Sequence, residues 1–194
     1  MKDKIRCDWC QKDALYKNYH DKEWGVPLHD DVKLFEMLIL EGAQAGLSWH
    51  MVLVKRENYR KAFDNWDAKK IARYTEKKKQ TLLQNEGIIR NRLKIAAAIS
   101  NAKAFLQVQK EFGSFDNYIW QFVKHTPIRN DRETMKDIPA KTNESDIMSK
   151  DLLRRGFKFV GSTICYAFMQ ATGMVDDHLN GCWKRNSLSR KKSK

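Results

Sequence analysis

Apolar residues recur with a helical period along most of this 194-residue chain, and this spacing restricts its fold more than any other feature. Asp30 or Asp31 can cap the clearest such stretch. Its apolar or small residues share one helical face, namely Leu34, Phe35, Leu38, Ile39, Gly42 and Ala45. The same signals predict further helices over 49–63, 68–74, 76–84, 90–109, 115–123 and 146–155. No convincing pair of alternating strands is found, so the sequence predicts an all-α fold.

The domain organisation follows from length and local composition. The chain length fits one domain, and we expect a single helical domain with two lobes over residues 1–182. The segment between Thr126 and Asn143 carries two prolines and mixed charge, which predicts a loop or a connection between the lobes. Residues 183–194 are basic and poor in apolar side chains, so we expect a mobile tail there.

The charge balance indicates a polyanionic partner. The formal net charge is +13 at pH 7, and the last twelve residues hold six positive charges and no negative ones. The rest of the chain is therefore still basic. A basic surface attracts polyanions, of which nucleic acid is the commonest, whereas a charge that serves only solubility is the alternative.

Two absences bear on the compartment. The sequence has no run of about 18 apolar residues that could span a membrane, and its N-terminal stretch lacks the apolar segment of a signal peptide. We therefore expect a cytoplasmic protein with no membrane contact. In that reducing compartment the four cysteines are expected to be thiols or metal ligands rather than disulfides.

The stretch RGFKFVGSTI, residues 155–164, predicts a tight turn between two helices. The first helix would end at Gly156, the aromatic residues of the turn would insert into the core, and Ser162 or Thr163 would cap the next helix. Backbone N–H groups at such a helix N-terminus suit a phosphate oxygen, and Lys158 with the two preceding arginines would add positive charge. A hairpin that only packs two helices is the alternative.

Cysteine and histidine residues at the two ends of the chain suggest a metal site. His178 and Cys182 are four residues apart, which would place them on one face of a helical turn. One cysteine and one histidine from each end would make a Cys2His2 set, with His20 from the N-terminal end, and such a set suits tetrahedral zinc. The spacing of Cys7 and Cys10 leaves open which of them binds, or whether both do. Buried thiols and imidazoles without a metal are the alternative.

Glu41 is the charged residue in the otherwise uncharged run LILEGAQAGLSW, residues 38–49. A partly buried carboxylate is costly unless a cation or hydrogen bonds compensate, so either an internal Arg or Lys or a cationic ligand is expected beside it. Aromatic rings around one carboxylate are typical of sites for flat, positively charged groups. Five aromatic residues close in sequence favour the ligand, namely Trp9, Tyr16, Tyr19, Trp24 and Trp49. The small residues after Glu41 could place Gln44, Gly46 or Leu47 at the mouth of a pocket.

Four stretches together resemble one known family. They occur in this order between Cys7 and Cys182, as LYKNYHDKEWG, LILEGAQAGLSW, RGFKFVGSTICYAFMQATG and DDHLNGC. The chain resembles the 3-methyladenine DNA glycosylase I family of bacterial alkylation-repair enzymes, and its hairpin resembles the helix-hairpin-helix module of DNA repair proteins. The resemblance implies a helix-hairpin-helix glycosylase fold with a structural zinc ion that joins the two ends of the chain.

The resemblance also implies roles for individual residues. It assigns the zinc to Cys7, His20, His178 and Cys182, and so decides against Cys10. It places Glu41, Tyr19 and Trp49 at the base, with Glu41 as the catalytic residue and Tyr16, Trp9 and Trp24 nearby. The implied DNA-binding residues are Gln44, Gly46, Leu47, Gly156, Lys158, Gly161 and Ser162.

The implied activity is hydrolysis of the N-glycosidic bond of 3-methyladenine in alkylated double-stranded DNA, by a monomeric enzyme that flips the nucleotide and releases the free base. Asp176 and Asp177 follow the hairpin, where many glycosylases of this superfamily carry a catalytic aspartate. Because they adjoin His178, we expect them to orient that histidine rather than to activate water. A non-catalytic, zinc-stabilised module that binds damaged DNA is the alternative.

Overall fold

The computed structural model describes residues 4–185. Nine α-helices and two short strands, all within this range, make up the regular structure. The helices are α1 (Ala14–Lys22), α2 (Asp31–Gln44), α3 (Trp49–Ala62), α4 (Ala68–Ile71), α5 (Glu76–Gln84), α6 (Arg92–Phe112), α7 (Phe115–Trp120), α8 (Asn143–Arg154) and α9 (Ser162–Ala171), and the strands are β1 (Ile128–Arg129) and β2 (Val175–Asp176). The expected, mostly helical fold is confirmed. Among the described helices none is both long enough and apolar enough to cross a membrane.

Helix α2 forms the centre of the fold. Every residue from Leu34 to Ala43 is buried, including two glutamates. The helix packs against α3, α6, α7 and α9. A helix that is apolar around most of its circumference is stable only inside a core, and the sequence of α2 meets that condition. Its position fixes Glu41 deep in the protein.

Both ends of α2 are capped by side chains. Asp30 is the N-cap, and its carboxylate accepts a hydrogen bond from the Lys33 N–H at 2.9 Å. At the other end Lys94 Nζ donates to the carbonyl oxygens of Ala43 at 2.8 Å and Ala45 at 2.7 Å. A lysine at these carbonyls satisfies acceptors that the helix leaves unpaired. The helix therefore stops just before the loop that leads to α3.

The beginning of α8 differs from the prediction. The helix begins at Asn143 with Thr142 as N-cap, and Ser145, the predicted cap, is the third helical residue of a capping box. Ser145 Oγ accepts from the Thr142 N–H at 2.8 Å. The prediction was wrong because Thr142 and Ser145 both carry a hydroxyl group that could cap a helix. The reciprocal hydrogen bonds between the two residues show that Thr142 is the N-cap.

The turn between α8 and α9 is held by buried side chains and by one asparagine. Phe157 and Val160 are fully buried, which confirms the predicted insertion of Phe157 into the core. The same prediction for Phe159 was wrong, because this residue has φ +54° and its side chain is only half-buried. Asn101 of α6 clamps the main chain of Lys158, accepting from its N–H at 2.7 Å and donating to its carbonyl at 3.0 Å. Gly156 has φ +90°, a conformation that glycine adopts without strain.

The N-cap of α9 is Gly161, which has no side chain to offer the helix. The prediction that Ser162 or Thr163 caps this helix was therefore wrong, because Ser162 is already its first residue. The N–H groups of the first turn consequently have no side-chain cap of that kind. This end of α9 keeps donors available to another acceptor.

The segment predicted as a loop between α7 and α8 contains ordered structure. Strand β1 pairs with β2 in parallel, with Ile128 opposite Val175. A 3-10 turn, Met135–Asp137, follows and has its own capping box. Strands of two residues carry no periodic signal, so the sequence could not predict them. The pair ties this segment to the C-terminal part of the chain.

The start of the basic tail is packed against the domain. Trp183 N–H donates to the Ile5 carbonyl at 2.9 Å, and Lys184 Nζ donates to the Asp21 carbonyl at 2.7 Å. The expected tail over 183–194 therefore has its first three residues in the folded body. Residues 186–194 lie outside the described residues.

We expect Gly173→Ala to destabilise the fold strongly. Gly173 has φ +68°, and a Cβ there would overlap main-chain atoms of Val26 and Pro27. Strain at positive φ costs about 1–2 kcal/mol, and the overlap adds to it, so the free energy of unfolding should fall by about 3 kcal/mol or more. Urea denaturation measures this change. Gly113→Ala is the matched control, because Gly113 has φ +81° and its Cβ would meet no atom closer than 3.9 Å. Equal losses in the two variants would contradict the close approach.

Candidate active site

A pocket of about 230 Å³ lies between α1, α2, α3 and α9. It is lined by five aromatic residues, three polar residues and three aliphatic or thioether residues. They are Trp9, Tyr16, Tyr19, Trp24 and Trp49, then Glu41, Gln44 and Gln170, and then Met135, Ile138 and Ala167. All six residues predicted for catalysis and base binding therefore line one cavity.

Local helix signals place the aromatic residues. Asp13 caps α1 by accepting from the Tyr16 N–H at 2.8 Å, which fixes Tyr16 and, one turn later, Tyr19 on the helix face toward the pocket. Ser48 caps α3, so that Trp49 is its first residue. Two ordinary N-caps thus set two walls of the pocket.

The rings pack mainly by their edges. Trp9 contacts Tyr16 and Trp24 edge-on, with ring centroids 5.2 Å apart in both pairs. Tyr19 and Trp49 are tilted against each other at 5.3 Å. Edge-to-face contacts of this kind hold the rings in fixed orientations. The five rings therefore form a connected aromatic wall along one part of the pocket.

Glu41 has no cationic partner anywhere in residues 4–185, and none of their side chains forms a hydrogen bond with it. Only 4% of the residue is exposed, and burial raises the pKa of its carboxyl to about 8. Glu36, on the same helix, is compensated in the usual way for a buried carboxylate, because it pairs with Arg56 Nε at 2.7 Å. The internal ion pair that the sequence left open for Glu41 is therefore absent from the described part of the chain, and its carboxyl faces the pocket instead.

A second cavity of about 340 Å³ adjoins the first and shares Glu41, Gln44 and Ala167 with it. Its other walls are the loop 45–47 and the first turn of α9 at Thr163 and Ile164. Gln44, Gly46 and Leu47, predicted at the pocket mouth, all line this second cavity. The opening thus lies between the α2–α3 loop and the N-terminus of α9.

The predicted DNA-binding residues of the hairpin lie on the surface. Gly156, Lys158 and Gly161 are exposed, and Ser162 is half-buried. A Cβ at either glycine would meet no atom within 4 Å, so both present main chain to solvent.

The two arginines before the hairpin are engaged within the protein. Arg155 pairs with Asp151 at 2.8 Å and with Glu111 at 2.7 Å, and Arg154 also pairs with Asp151. Carboxylates offset the positive charge of both arginines, so the two residues add less charge to the turn than the sequence predicts. Lys158 has no such partner among the described residues.

Three of the four predicted metal ligands converge. The ligand atoms of Cys7, His20 and Cys182 all lie within 4.8 Å of one another, and all three residues are buried. Cys10 is outside this group, because its thiol donates to the Cys7 carbonyl at 3.1 Å. The geometry agrees with the choice of Cys7 over Cys10.

The two thiols of the cluster, Cys7 and Cys182, influence each other's pKa. The hydrogen bond from the Cys7 thiol lowers the pKa of Cys182, and the neighbouring His20 imidazole lowers it further. The thiolate is the form of cysteine that binds metal ions. The lowered pKa favours the thiolate form of Cys182 in this buried position.

His178 lies beside this cluster rather than within its 4.8 Å limit. Its ring centroid is 5.0 Å from that of His20, and its Nδ1 contacts an Asp176 oxygen at 2.8 Å, as predicted for an orienting carboxylate. The same prediction for Asp177 was wrong, because its carboxylate accepts hydrogen bonds from other side chains, Tyr166 and Arg132 among them. Its Nε2 is buried and has no hydrogen-bond partner in the described chain. A buried nitrogen without a partner beside two cysteines and a histidine fits a fourth metal ligand.

The segment that carries His178 is not helical. Residues 175–176 are strand, and the chain then runs through an irregular stretch to a turn at 180–181. The prediction that His178 and Cys182 share a helical turn was therefore wrong. Asp177 explains the difference, because its buried carboxylate accepts from Tyr166 at 2.5 Å, Gln170 at 2.8 Å and Arg132 at 3.0 Å, and these bonds fix the main chain in a non-helical course.

Four lining residues of the pocket were not predicted. Ala167 and Gln170 lie one turn apart on α9, and Met135 and Ile138 belong to the segment between β1 and α8. A helical face at i and i+3 could have suggested the first two, since α9 belongs to the hairpin. No local pattern points to Met135 or Ile138, because their place depends on the pairing of β1 with β2.

Comparisons with known proteins show which family the chain resembles. A family model described as methyladenine glycosylase matches residues 9–185. The DNA-3-methyladenine glycosylase of Haemophilus influenzae is 52% identical over 177 residues, covering 91% of this chain and 96% of that protein. The DNA-3-methyladenine glycosylase 1 of Escherichia coli is 53% identical over 177 residues, covering 91% and 95%.

A solved structure is similar throughout. A variant of 3-methyladenine DNA glycosylase I in complex with 3-methyladenine superposes with a TM-score of 0.90 at 34% identity, covering 93% of this chain and 97% of that one. The family model, both relatives and this structure therefore agree over nearly the whole chain. The chain belongs to the 3-methyladenine DNA glycosylase I family.

Proposed function

We propose that the protein excises 3-methyladenine from alkylated double-stranded DNA by hydrolysing the N-glycosidic bond of a flipped-out nucleotide. The observation that carries the proposal is the buried Glu41, which has no cation beside it in residues 4–185 and lies in a pocket of five aromatic residues. The relatives are named for this activity, and one similar structure contains the base.

Glu41 selects the base by its charge. Methylation at N3 gives the adenine of the nucleotide a positive charge, which a carboxylate in a low-dielectric pocket attracts strongly. Glu41 also accepts a hydrogen bond from the amino group or a ring N–H of the base, and charge-assisted hydrogen bonds are about twice as strong as neutral ones. An unmodified adenine brings no charge and gains less from Glu41. Tyr19 and Trp49 hold the ring, and Tyr16, Trp9 and Trp24 complete the wall.

The chemistry needs little acid catalysis. A cationic base is already a good leaving group, so the enzyme has to flip the nucleotide, hold the cation and admit water. The cost of burying Glu41 as an anion is offset only when the cation arrives, and this difference favours the alkylated base over the normal one.

DNA engages the hairpin and the pocket mouth. The exposed main chain at Gly156 and Gly161, the first turn of α9 at Ser162 and the Lys158 side chain bind a phosphate group without reading sequence. Gln44, Gly46 and Leu47 occupy the space that the displaced nucleotide leaves. Because the hairpin and the mouth adjoin each other at α9, one duplex can reach both.

Zinc is the metal that best fits the buried cluster. Cys7, His20, Cys182 and His178 provide two sulfur and two nitrogen ligands, a set that zinc prefers. When bound, the ion supplies a structural cross-link between the ends of the chain. The residues that touch it also carry the pocket, because Trp9 contacts His20 at 5.5 Å and Trp24 contacts His178 at 4.6 Å between ring centroids. We further propose that the enzyme acts as a monomer with a single two-lobed domain.

We expect Glu41→Gln to lower kcat/KM for alkylated duplex DNA by about 100-fold, which corresponds to the loss of one charge-assisted contact of about 2.7 kcal/mol. Release of free 3-methyladenine from methylated DNA measures the effect. Glu36→Gln is the matched control on the same helix, because Glu36 pairs with Arg56 away from the pocket and its loss should alter stability but not turnover. Tight binding to alkylated duplex with no base released by the wild type would instead support a non-catalytic binding module.

The raised pKa of Glu41 predicts a pH-dependent stability. Its pKa is about 8 in the folded protein and near 4.5 when unfolded, so the folded state retains a proton that the unfolded state has lost, and stability falls as pH rises from 4.5 to 8. Glu41→Gln removes this loss. The variant should therefore gain stability relative to the wild type with rising pH, by up to about 1.4 kcal/mol per pH unit, and level off above about pH 8.

Urea denaturation of both proteins at pH 5, 7 and 9 measures this difference. Other groups that titrate in this range, the metal ligands included, are common to both proteins and cancel in the comparison. A stability difference that stays constant from pH 5 to pH 9 would show that Glu41 does not carry the buried proton.

Removal of a metal ligand should release the ion and destabilise the domain. We expect Cys182→Ser to lose bound zinc and about 3 kcal/mol or more of stability. Cys10→Ser is the matched control, since Cys10 is equally buried and next to the cluster but its thiol faces the Cys7 carbonyl. Atomic emission gives the zinc content of the purified proteins, and thermal unfolding gives the stability. Loss of zinc from both variants, or from neither, would be inconsistent with the assigned ligand set.

A further inference from the structure

One wall of the pocket comes from residues 130–138, which we call the strap. The strap follows β1 and includes the 3-10 turn Met135–Asp137. Two of its side chains, Met135 and Ile138, line the pocket. No motif of the sequence marks these residues, and the roles assigned above leave them without one.

The first half of the strap is fastened to the C-terminal segment. Arg132 Nε donates to Asp177 at 3.0 Å, and Asn130 Nδ2 donates to the same carboxylate at 2.9 Å. In the other direction, the Asn180 N–H donates to the Arg132 carbonyl at 2.8 Å, and Asn180 Nδ2 donates to the Glu133 carboxylate at 2.6 Å. These bonds fix the strap to the segment that also holds His178 and Cys182.

The second half of the strap is fixed by its own turn. Asp137 accepts hydrogen bonds from the N–H groups of Thr134 at 2.7 Å and Glu133 at 3.1 Å. Arg132 Nη1 donates to the Asp137 carbonyl at 2.8 Å. Met135 therefore projects from a turn that is closed on both sides, so its main chain is positioned even though 36% of the residue is exposed at the rim.

The lining residues divide by chemistry. Glu41, Gln44 and Gln170 offer polar atoms, and aromatic rings offer flat faces. Apart from Ala167 on α9, the aliphatic and thioether surface among the lining residues comes from the strap. A flipped alkylated adenine has the same division, since its amino group and ring nitrogens are polar and its alkyl group is apolar.

We propose that Met135 and Ile138 contact the alkyl group on the flipped base and limit the size of the alkyl group that the pocket accepts. The inference rests on the proposed function and deepens it by assigning the residues that distinguish alkylation products. Glu41 recognises the charge of the base, and the aromatic residues recognise its ring faces. Neither the charge nor the ring faces change when an ethyl group replaces the methyl group. The strap is the surface that a longer alkyl group would meet.

The test compares the binding of two free bases, 3-methyladenine and 3-ethyladenine. Their dissociation constants are measured by quenching of the intrinsic tryptophan fluorescence, since Trp9, Trp24 and Trp49 line the pocket. The proteins are the wild type, Met135→Ala and the control Lys136→Ala. Lys136 belongs to the same 3-10 turn, is exposed and does not line the pocket.

The wild type should bind 3-methyladenine about tenfold more tightly than 3-ethyladenine, which is the usual discrimination against one added methylene. Met135→Ala should reduce this ratio to near one, while Lys136→Ala should leave it unchanged. An equal weakening of both bases in Met135→Ala would indicate a merely structural role and overturn the proposal, as would an unchanged ratio.

Failure of the proposed function gives a different result. A wild type that binds both bases but releases none from alkylated DNA would refute the glycosylase activity, while the ratio of the two dissociation constants would still decide the role of the strap. A wild type that binds neither base would overturn the role of the strap, and release of base from alkylated DNA would still decide the glycosylase activity.

Discussion

The burial of one unpaired carboxylate is the constraint on which the rest of this structure depends. Within residues 4–185 the protein gives Glu36 an arginine and gives Glu41, one and a half turns later on the same helix, none. Because every residue of α2 from Leu34 to Ala43 is buried, Glu41 meets open space at the pocket that it lines. Burial raises the pKa of this carboxyl, and a cation in the pocket would favour its charged form.

The two ends of the chain build the surroundings of that carboxylate. Trp9 lies between Cys7 and Cys10, Tyr19 precedes His20, and Trp24 packs on His178, so residues beside the candidate metal ligands become walls of the pocket. The same C-terminal segment holds the strap through Asp177 and Asn180. A metal that cross-linked the two ends of the chain would therefore fix Trp9, Trp24 and the strap in place. Its role would be structural and not catalytic.

The sequence predicts the parts of this structure whose causes are local. The bounds of α2, α3 and α5 follow from apolar period and capping residues, and Glu41 was recognisable because a charge in an apolar run is unusual. Some failed predictions are local, such as the N-caps of α8 and α9, and others concern long-range partners. The non-helical course of residues 176–182 depends on hydrogen bonds to Asp177 from α9 and the strap, and the place of Met135 depends on a parallel strand pair. Neither of these two features can be predicted from the local sequence, because each depends on residues far away in the chain.

The carboxylates near the hairpin bear on how the reaction proceeds. Asp177 accepts hydrogen bonds from Asn130, Arg132, Tyr166 and Gln170, and Asp176 is engaged with His178 and Arg129. These donors occupy the oxygens of both carboxylates, so neither carboxylate is free to take a proton from a water molecule. Neither aspartate is therefore suited to activate water. An enzyme without a strong base depends on the leaving group, and only a base that is already cationic leaves readily. On this argument the proposed preference for charged bases would follow from the leaving group as much as from Glu41.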